Sequence, residues 1–477
     1  MLLALILVPI LLGGVAFIMP FERVRPWLLP VGGATHLGLT ATAITRGASP
    51  MLDGYLVLDP LGTLVLGFTS VLFFLCFLYA PGYLRQRPER RNRVFVACLL
   101  VFVGTTSLIL LTHHLGLMWV ALEATTLCTA PLLYFNHNAR SLEAVWKYLL
   151  VGSVGIALAL LGSLFLAYSA LHARLTPSLL LEDLIRDGHA LSRPWLHAAF
   201  VLLFVGYGTK MGLAPMHTWK PDAYGEAPGL VGALLAGGLT NCAFLAILRF
   251  FHILSAAGEA AFARELMIGG GLFSIAVAGV FMVRQRDYKR LLAYSSVEHM
   301  GILVLGVGIG GNAVFGSLLH LINNGLTKGV LFLSAANIHR AFASKTVEGT
   351  TGAMRLVPVS GALFLLGFFA IAGSPPFGPF VSEFTILSAA VSAGRYVLVG
   401  LFLLLLVIVF IGMGATVLAV VQGTPVGIDR SVPAKPETFL TVAPAVAFLI
   451  LVLCLGLYLP PPLQALIQRA AAFEALP

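Results

Sequence analysis

The chain has 477 residues, of which 59% are hydrophobic and only 10% charged, and its mean hydropathy is +0.96. A soluble globular protein carries roughly 25% charged residues, so these values exclude a water-soluble enzyme and describe a polytopic membrane protein. The net charge of +9 is read as topology, because basic residues gather on the cytoplasmic side, and no nucleic-acid partner is expected.

The N-terminus is apolar from Leu2, without a basic leader or a small-residue cleavage site, and reads as a first spanning helix. Apolar runs long enough to span, about 20 residues each, lie near 2–19, 27–45, 60–80, 94–112, 115–134, 145–169, 197–216, 229–253, 266–283, 291–310, 313–338, 357–392, 396–421 and 438–459. They predict an all-α integral membrane protein of about fourteen helices. In the run at 197–216, Gly206 and Gly208 precede Lys210 and Pro215 follows it; the run at 357–392 contains Gly373-Ser374-Pro375-Pro376. Both should be broken helices. The loop with Arg85, Arg87, Arg90, Arg91 and Arg93 sets the cytoplasmic side of a bacterial inner membrane and puts both termini on the outer side. Arg23, Arg25, Arg140, Lys220, Arg284, Arg286, Lys289, Arg290, Arg340, Lys345, Arg355, Arg430 and Lys435 then fall in cytoplasmic loops. The polar segment 170–196 should hold a short surface helix, with no chemistry assigned to it.

Segments four to eight and nine to thirteen each put a broken helix fourth. Units of five helices are inverted relative to each other, and inverted repeats with discontinuous helices are a transporter architecture. The expected division is 1–93 for the first three helices, 94–253 and 266–421 for the repeats, and 438–477 for helix fourteen and the tail.

Charge inside a spanning segment is costly and marks function by default. Glu123, Lys210, Lys328 and Glu383 lie well inside apolar runs, with His320 two turns before Lys328 on the same face. Burial lowers a lysine's proton affinity and a neighbouring carboxylate raises it; that balance suits a proton relay. A single Lys–Glu pair could instead be structural glue, but its recurrence in both repeats argues for the relay. Lys147 either joins this path or snorkels to the interface. His217, Asp222 and Glu226 either hold the loop after the broken helix or gate proton uptake, and Glu298 and His299 could line a half-channel. His113 and His114 read as interfacial. Cys76, Cys98, Cys128, Cys242 and Cys454 are scattered singly and read as inert buried thiols. No haem-ligand pair, cluster motif or nucleotide motif is present, so no cofactor or resident metal is expected.

Trp119-x3-Glu123, Lys210-x4-Pro215-x-His217-x-Trp219-x-Pro221-Asp222-Ala223, the run Asp287 to Val297, His320-x7-Lys328 and Phe380-x2-Glu383 resemble the antiporter-like, proton-conducting membrane subunits. That family is shared by respiratory complex I, multisubunit sodium–proton antiporters and membrane-bound nickel–iron hydrogenases. The resemblance covers roughly residues 60–420. It implies fourteen helices in two inverted repeats, Glu123 paired with Lys210, and Lys328 leading to Glu383. Three departures stand out: Asn241 where many members carry lysine, Asn324 in place of a second histidine, and Tyr224 in place of histidine. With Ser295 to Met300, Asn241 points to the hydrogenase-4 component F branch. The implied function is proton translocation coupled to redox chemistry in membrane and peripheral partner subunits. A complex I or antiporter subunit and a structural membrane anchor are the rival readings.

Overall fold

The structure, a computed structural model, describes residues 1–425 and 437–472; Arg430 and Lys435 lie outside the described residues. The first half contains α1 (Leu2–Ile18), α2 (Leu28–Arg46), α3 (Pro60–Arg85), α4 (Arg93–Leu111), α5 (Leu115–Leu133), α6 (Ala139–His172), α7 (Leu181–Arg186), α8 (Arg193–Met211), α9 (Trp219–Glu226), α10 (Gly229–Leu234) and α11 (Thr240–Ala256). The second contains α12 (Ala260–Met282), α13 (Tyr288–Ile309), α14 (Asn312–Phe342), α15 (Ala353–Leu356), α16 (Pro358–Ile371), α17 (Gly378–Ser392), α18 (Tyr396–Val421), α19 (Phe439–Leu457) and α20 (Pro461–Ala471). Helices satisfy their backbone internally, which lipid demands. Some starts are capped by side chains: the Asp59 carboxylate accepts from Gly62 N at 2.9 Å, and Asp287 accepts from Lys289 N at 2.9 Å.

Among the described residues, nine helical stretches are long and apolar enough to cross a membrane. Each expected span coincides with a helix or helix pair, and the connections alternate between two ends, consistent with fourteen crossings. At one end the loop after α1 meets the loop before α4, where Arg25 donates to Asn92 Oδ1 at 2.5 Å, and Asn136 after α5 donates to Glu226 O at 2.8 Å. At the other end, residues 59–61, His113, Leu181–Glu182, Arg249 and Arg469 line one cavity. The short surface helix expected in 170–196 is α7. The amphipathic α20, hidden in what reads as a tail, packs against α3 and α14.

Both breaks are present. α8 stops at Met211, Gly212 takes a left-handed φ of +83°, and the chain resumes at α9. α16 stops at Ile371, Gly373 takes φ +66°, and α17 begins at Gly378. Only glycine adopts these angles without strain. Between α10 and α11, Leu235–Leu239 forms a π-helical turn, a local widening often found at functional sites. The stretch Gly229–Ala256 and α13 are buried except at half-buried His252 and Arg290, and form the centre of the molecule. α14 packs against α10, α13, α16, α17 and α19.

Candidate functional site

In the first half, Glu123 on α5 and Lys210 on α8 are joined through a hydroxyl. Thr126, one turn beyond Glu123, donates to Glu123 Oε2 at 3.1 Å, and Lys210 Nζ donates to Thr126 Oγ1. The pairing that the resemblance implies is therefore made through the Thr126 hydroxyl. Glu123 is half-buried and also accepts from Ser153 on the exposed face of α6 at 3.3 Å. Lys210 is fully buried, its ammonium 5.0 Å from the centre of the Tyr148 ring.

The break places a residue that sequence reasoning missed. Lys220, read as a loop cation, is fully buried on α9. Trp219 holds α9 against the end of α8 by donating to Thr209 O at 2.9 Å. The stem of Lys220 then runs against the bare Cα of Gly212. Lys220 Nζ donates to Ser296 Oγ at 3.0 Å, while Lys328 Nζ from α14 donates to Ser295 Oγ at 2.7 Å. Two buried lysines, one from each half, thus converge on adjacent serines of α13.

Beyond that point α13, α14 and α17 carry a dense polar cluster. His299 Nε2 lies 3.7 Å from Glu298 Oε2, and His299 Nδ1 lies 2.9 Å from His320 Nε2. His320 Nδ1 in turn meets Ser382 Oγ at 2.9 Å. Glu383 is only 8% exposed, its Oε1 has no hydrogen-bond partner among the described residues, and its Oε2 sits against Gly373. In each half, then, the left-handed glycine of the broken helix makes room for an ionisable side chain.

The remaining predicted residues lie off this line. Lys147 is 45% exposed and ion-paired with Glu143 at 2.6 Å and Asp222 at 2.7 Å. Asp222 also holds Arg290 at 3.2 Å, and Lys345 joins Glu226 at 2.5 Å. These pairs tie α9 to α6, to α13 and to the segment after α14. His217 is buried near the rings of Phe281 and Tyr294. Asn241, buried two residues past the π turn, faces α14, where its Nδ2 donates to Leu321 O at 3.4 Å. Its Oδ1 has no partner among the described residues.

At the opposite end His113, expected at the interface, is buried within the protein. It contacts Glu182 at 2.5 Å and Asp59 at 3.6 Å. Arg249, also unforeseen, donates to Leu110 O at 2.8 Å and to Ile109 O at 3.3 Å, and lies 3.4 Å from Asp59 Oδ1. A buried cation there satisfies the last carbonyls of α4. Burial alone would raise the Asp59 pKa, but the charge of Arg249, His113 and the Gly62 N–H together bring it down to about 2. A cavity of about 410 Å³ opens beside this group.

The sequence model of the transmembrane NADH:quinone oxidoreductase/Mrp antiporter family matches residues 112–409. Among known proteins, a hydrogenase-4 component F homolog from Methylacidiphilum infernorum is 35% identical over 85% of this chain and 86% of its own length. NADH-quinone oxidoreductase subunit N from Desulforudis audaxviator is 30% identical over 72% of this chain and 68% of its own. A chain of respiratory complex I from Thermus thermophilus superposes with a TM-score of 0.78 at 26% identity, covering 96% of this chain and 97% of that one.

Proposed function

The chain belongs to the NADH:quinone oxidoreductase/Mrp antiporter family of transmembrane proteins, and we propose that it is the proton-translocating membrane subunit of a hydrogenase-4-like or formate hydrogenlyase-like complex. As an antiporter-like member it works beside other subunits. The redox chemistry would sit in membrane and peripheral partners, with this chain supplying the ion path. The observation that carries this reading is the line of ionisable groups from half-buried Glu123 through buried Lys210, Lys220, Lys328 and His320 to buried Glu383. Under this reading Glu123 exchanges its proton with Lys210 through Thr126. Lys220 and Lys328 connect the halves across Ser296 and Ser295, and His299 and His320 lead to Glu383, the exchange site toward the outer face. The rim pairs of Lys147 and Asp222, with His217, admit protons, and Asn241 holds a water. The repeats would span 94–253 and 266–421.

The test is pumping by the assembled complex in sealed vesicles. Lys210→Ala and Glu123→Gln should abolish the proton gradient while partner redox turnover is partly kept, with membrane abundance checked by immunoblot. A normal gradient from assembled Lys210→Ala vesicles would overturn the reading. The likeness to complex I subunit N supports a second assignment with the same mechanism. Co-purification separates the two: nickel–iron hydrogenase subunits favour the first, quinone-reductase subunits the second.

A further inference from the structure

We propose that His299, His320 and Glu383 form a site for one divalent transition-metal ion of the Zn²⁺ type, and that the bound ion blocks the second half of the path. Binding stands on geometry alone; the block rests on the relay reading above.

Three observations carry it. Donor atoms of the three residues lie within 4.8 Å of one another, and all three side chains are buried. Ligand atoms around a tetrahedral ion with bonds of about 2.0–2.1 Å sit roughly 3.4 Å apart. The 2.9 Å between His299 Nδ1 and His320 Nε2 would have to open by only about half an ångström. Second, the His320 imidazole is backed on its far nitrogen, as metal-bound histidines are. His320 Nδ1 has Ser382 Oγ at 2.9 Å, whereas His299 Nε2 lies 3.7 Å from Glu298 Oε2, within reach of its charge but too far for a hydrogen bond. Third, Glu383 Oε1 is buried and has no partner among the described residues, so the third ligand is free to coordinate.

The donor set names the ion class. Two imidazoles and one carboxylate suit Zn²⁺ and its neighbours, whereas Mg²⁺, Ca²⁺ and Na⁺ prefer all-oxygen sites. Three protein ligands leave a fourth position for water. Glu298 and Glu383 offset the charge of a dication, which Lys328 alone would repel. Coordination would occupy the nitrogens that the relay needs, so a proton could no longer pass from Lys328 to Glu383.

The experiment uses the purified complex, stripped with chelator, loaded with Zn²⁺ or Co²⁺ and desalted. Elemental analysis should find one more zinc per complex in wild type than in the His299→Gln/His320→Gln variant. Co²⁺ should give visible d–d bands that this variant lacks. Ser382→Ala, which removes the support behind His320 and otherwise only local bonds of Ser382 to its own helix, should weaken zinc about ten- to a hundred-fold, and it decides the matter if the double variant fails to assemble. Equal zinc in wild type and double variant, or unchanged affinity in Ser382→Ala, overturns the site. Stoichiometric zinc with undiminished pumping overturns the block alone, an outcome distinct from failure of the Lys210→Ala test.

Discussion

Under the proposed relay, Lys220 is the residue that joins the two halves. Its ammonium reaches Ser296, and no carboxylate among the described residues lies within ion-pair distance of it. A buried, unpaired cation is costly, so its removal should not harm folding. Lys220→Met should therefore assemble at wild-type abundance or better, yet lower pumping at least ten-fold, because methionine fills the space without carrying a proton. Proton-gradient measurements on vesicles matched for protein check this. Full pumping by Lys220→Met would mean that the halves connect elsewhere, with the Asn241 side of α14 the next place to look. By contrast, removing one partner of a compensated buried set leaves a stranded charge, at a cost of about 3–5 kcal/mol. Glu298→Ala, beside the cluster of His299 and Lys328, should accordingly assemble less well than Lys220→Met.

At the scale of elements, the two breaks decide where charge can sit. Gly212 needs its left-handed φ, and a Cβ there would also run into the stem of Lys220. Gly212→Ala should cost about 1–3 kcal/mol from backbone strain plus that overlap. Adding Lys220→Ala relieves only the overlap, so the double variant should recover part of the abundance lost by the single one. No recovery at all would show that the backbone alone is responsible. Both breaks were legible in the sequence, since Pro215 and Gly373-Ser374-Pro375-Pro376 cannot continue a helix. The apolar runs likewise gave the helix positions, because lipid leaves few other structures. Lys220 was not legible. It stands between Trp219 and Pro221-Asp222 and reads as the start of a polar loop, while the folded chain turns this segment back inward. The signal that could have found it is the break itself, since residues just after a discontinuity lie at membrane depth. Arg249 was lost for the opposite reason: a lone cation near the end of an apolar run passes for an interfacial residue. The cluster of Glu298, His299 and His320 was half legible, each residue visible on its own helix but their convergence dependent on how α13 crosses α14.

At the scale of the molecule, the two ends differ in charge, which gives an expected orientation of the path in the membrane. The end with the connection between α3 and α4 collects Arg85, Arg87, Arg90, Arg91 and Arg93. Arg140, Arg290 and Lys345 line pockets at the same end. α1 runs antiparallel to α4, with Ile6 beside Gly104 and Gly13 beside Ala97, so its first residue lies at the other end. α20 closes on that end too, where Arg469 lines the cavity with Asp59 and His113. Both ends of the described chain therefore lie opposite the arginine-rich loop. Because short basic loops are retained in the cytoplasm, we predict that the N-terminus and α20 face outward. Single cysteines at Gln464 and Arg91, introduced after Cys454 is replaced by serine, should separate in intact cells. A membrane-impermeant maleimide should label the first at once and the second only after permeabilisation. The opposite pattern would invert the topology, making Asp59, His113 and Glu182 the uptake side and Lys147 with Asp222 the release side. The residues of the path would be unchanged, but the direction in which Glu383 exchanges its proton would be reversed.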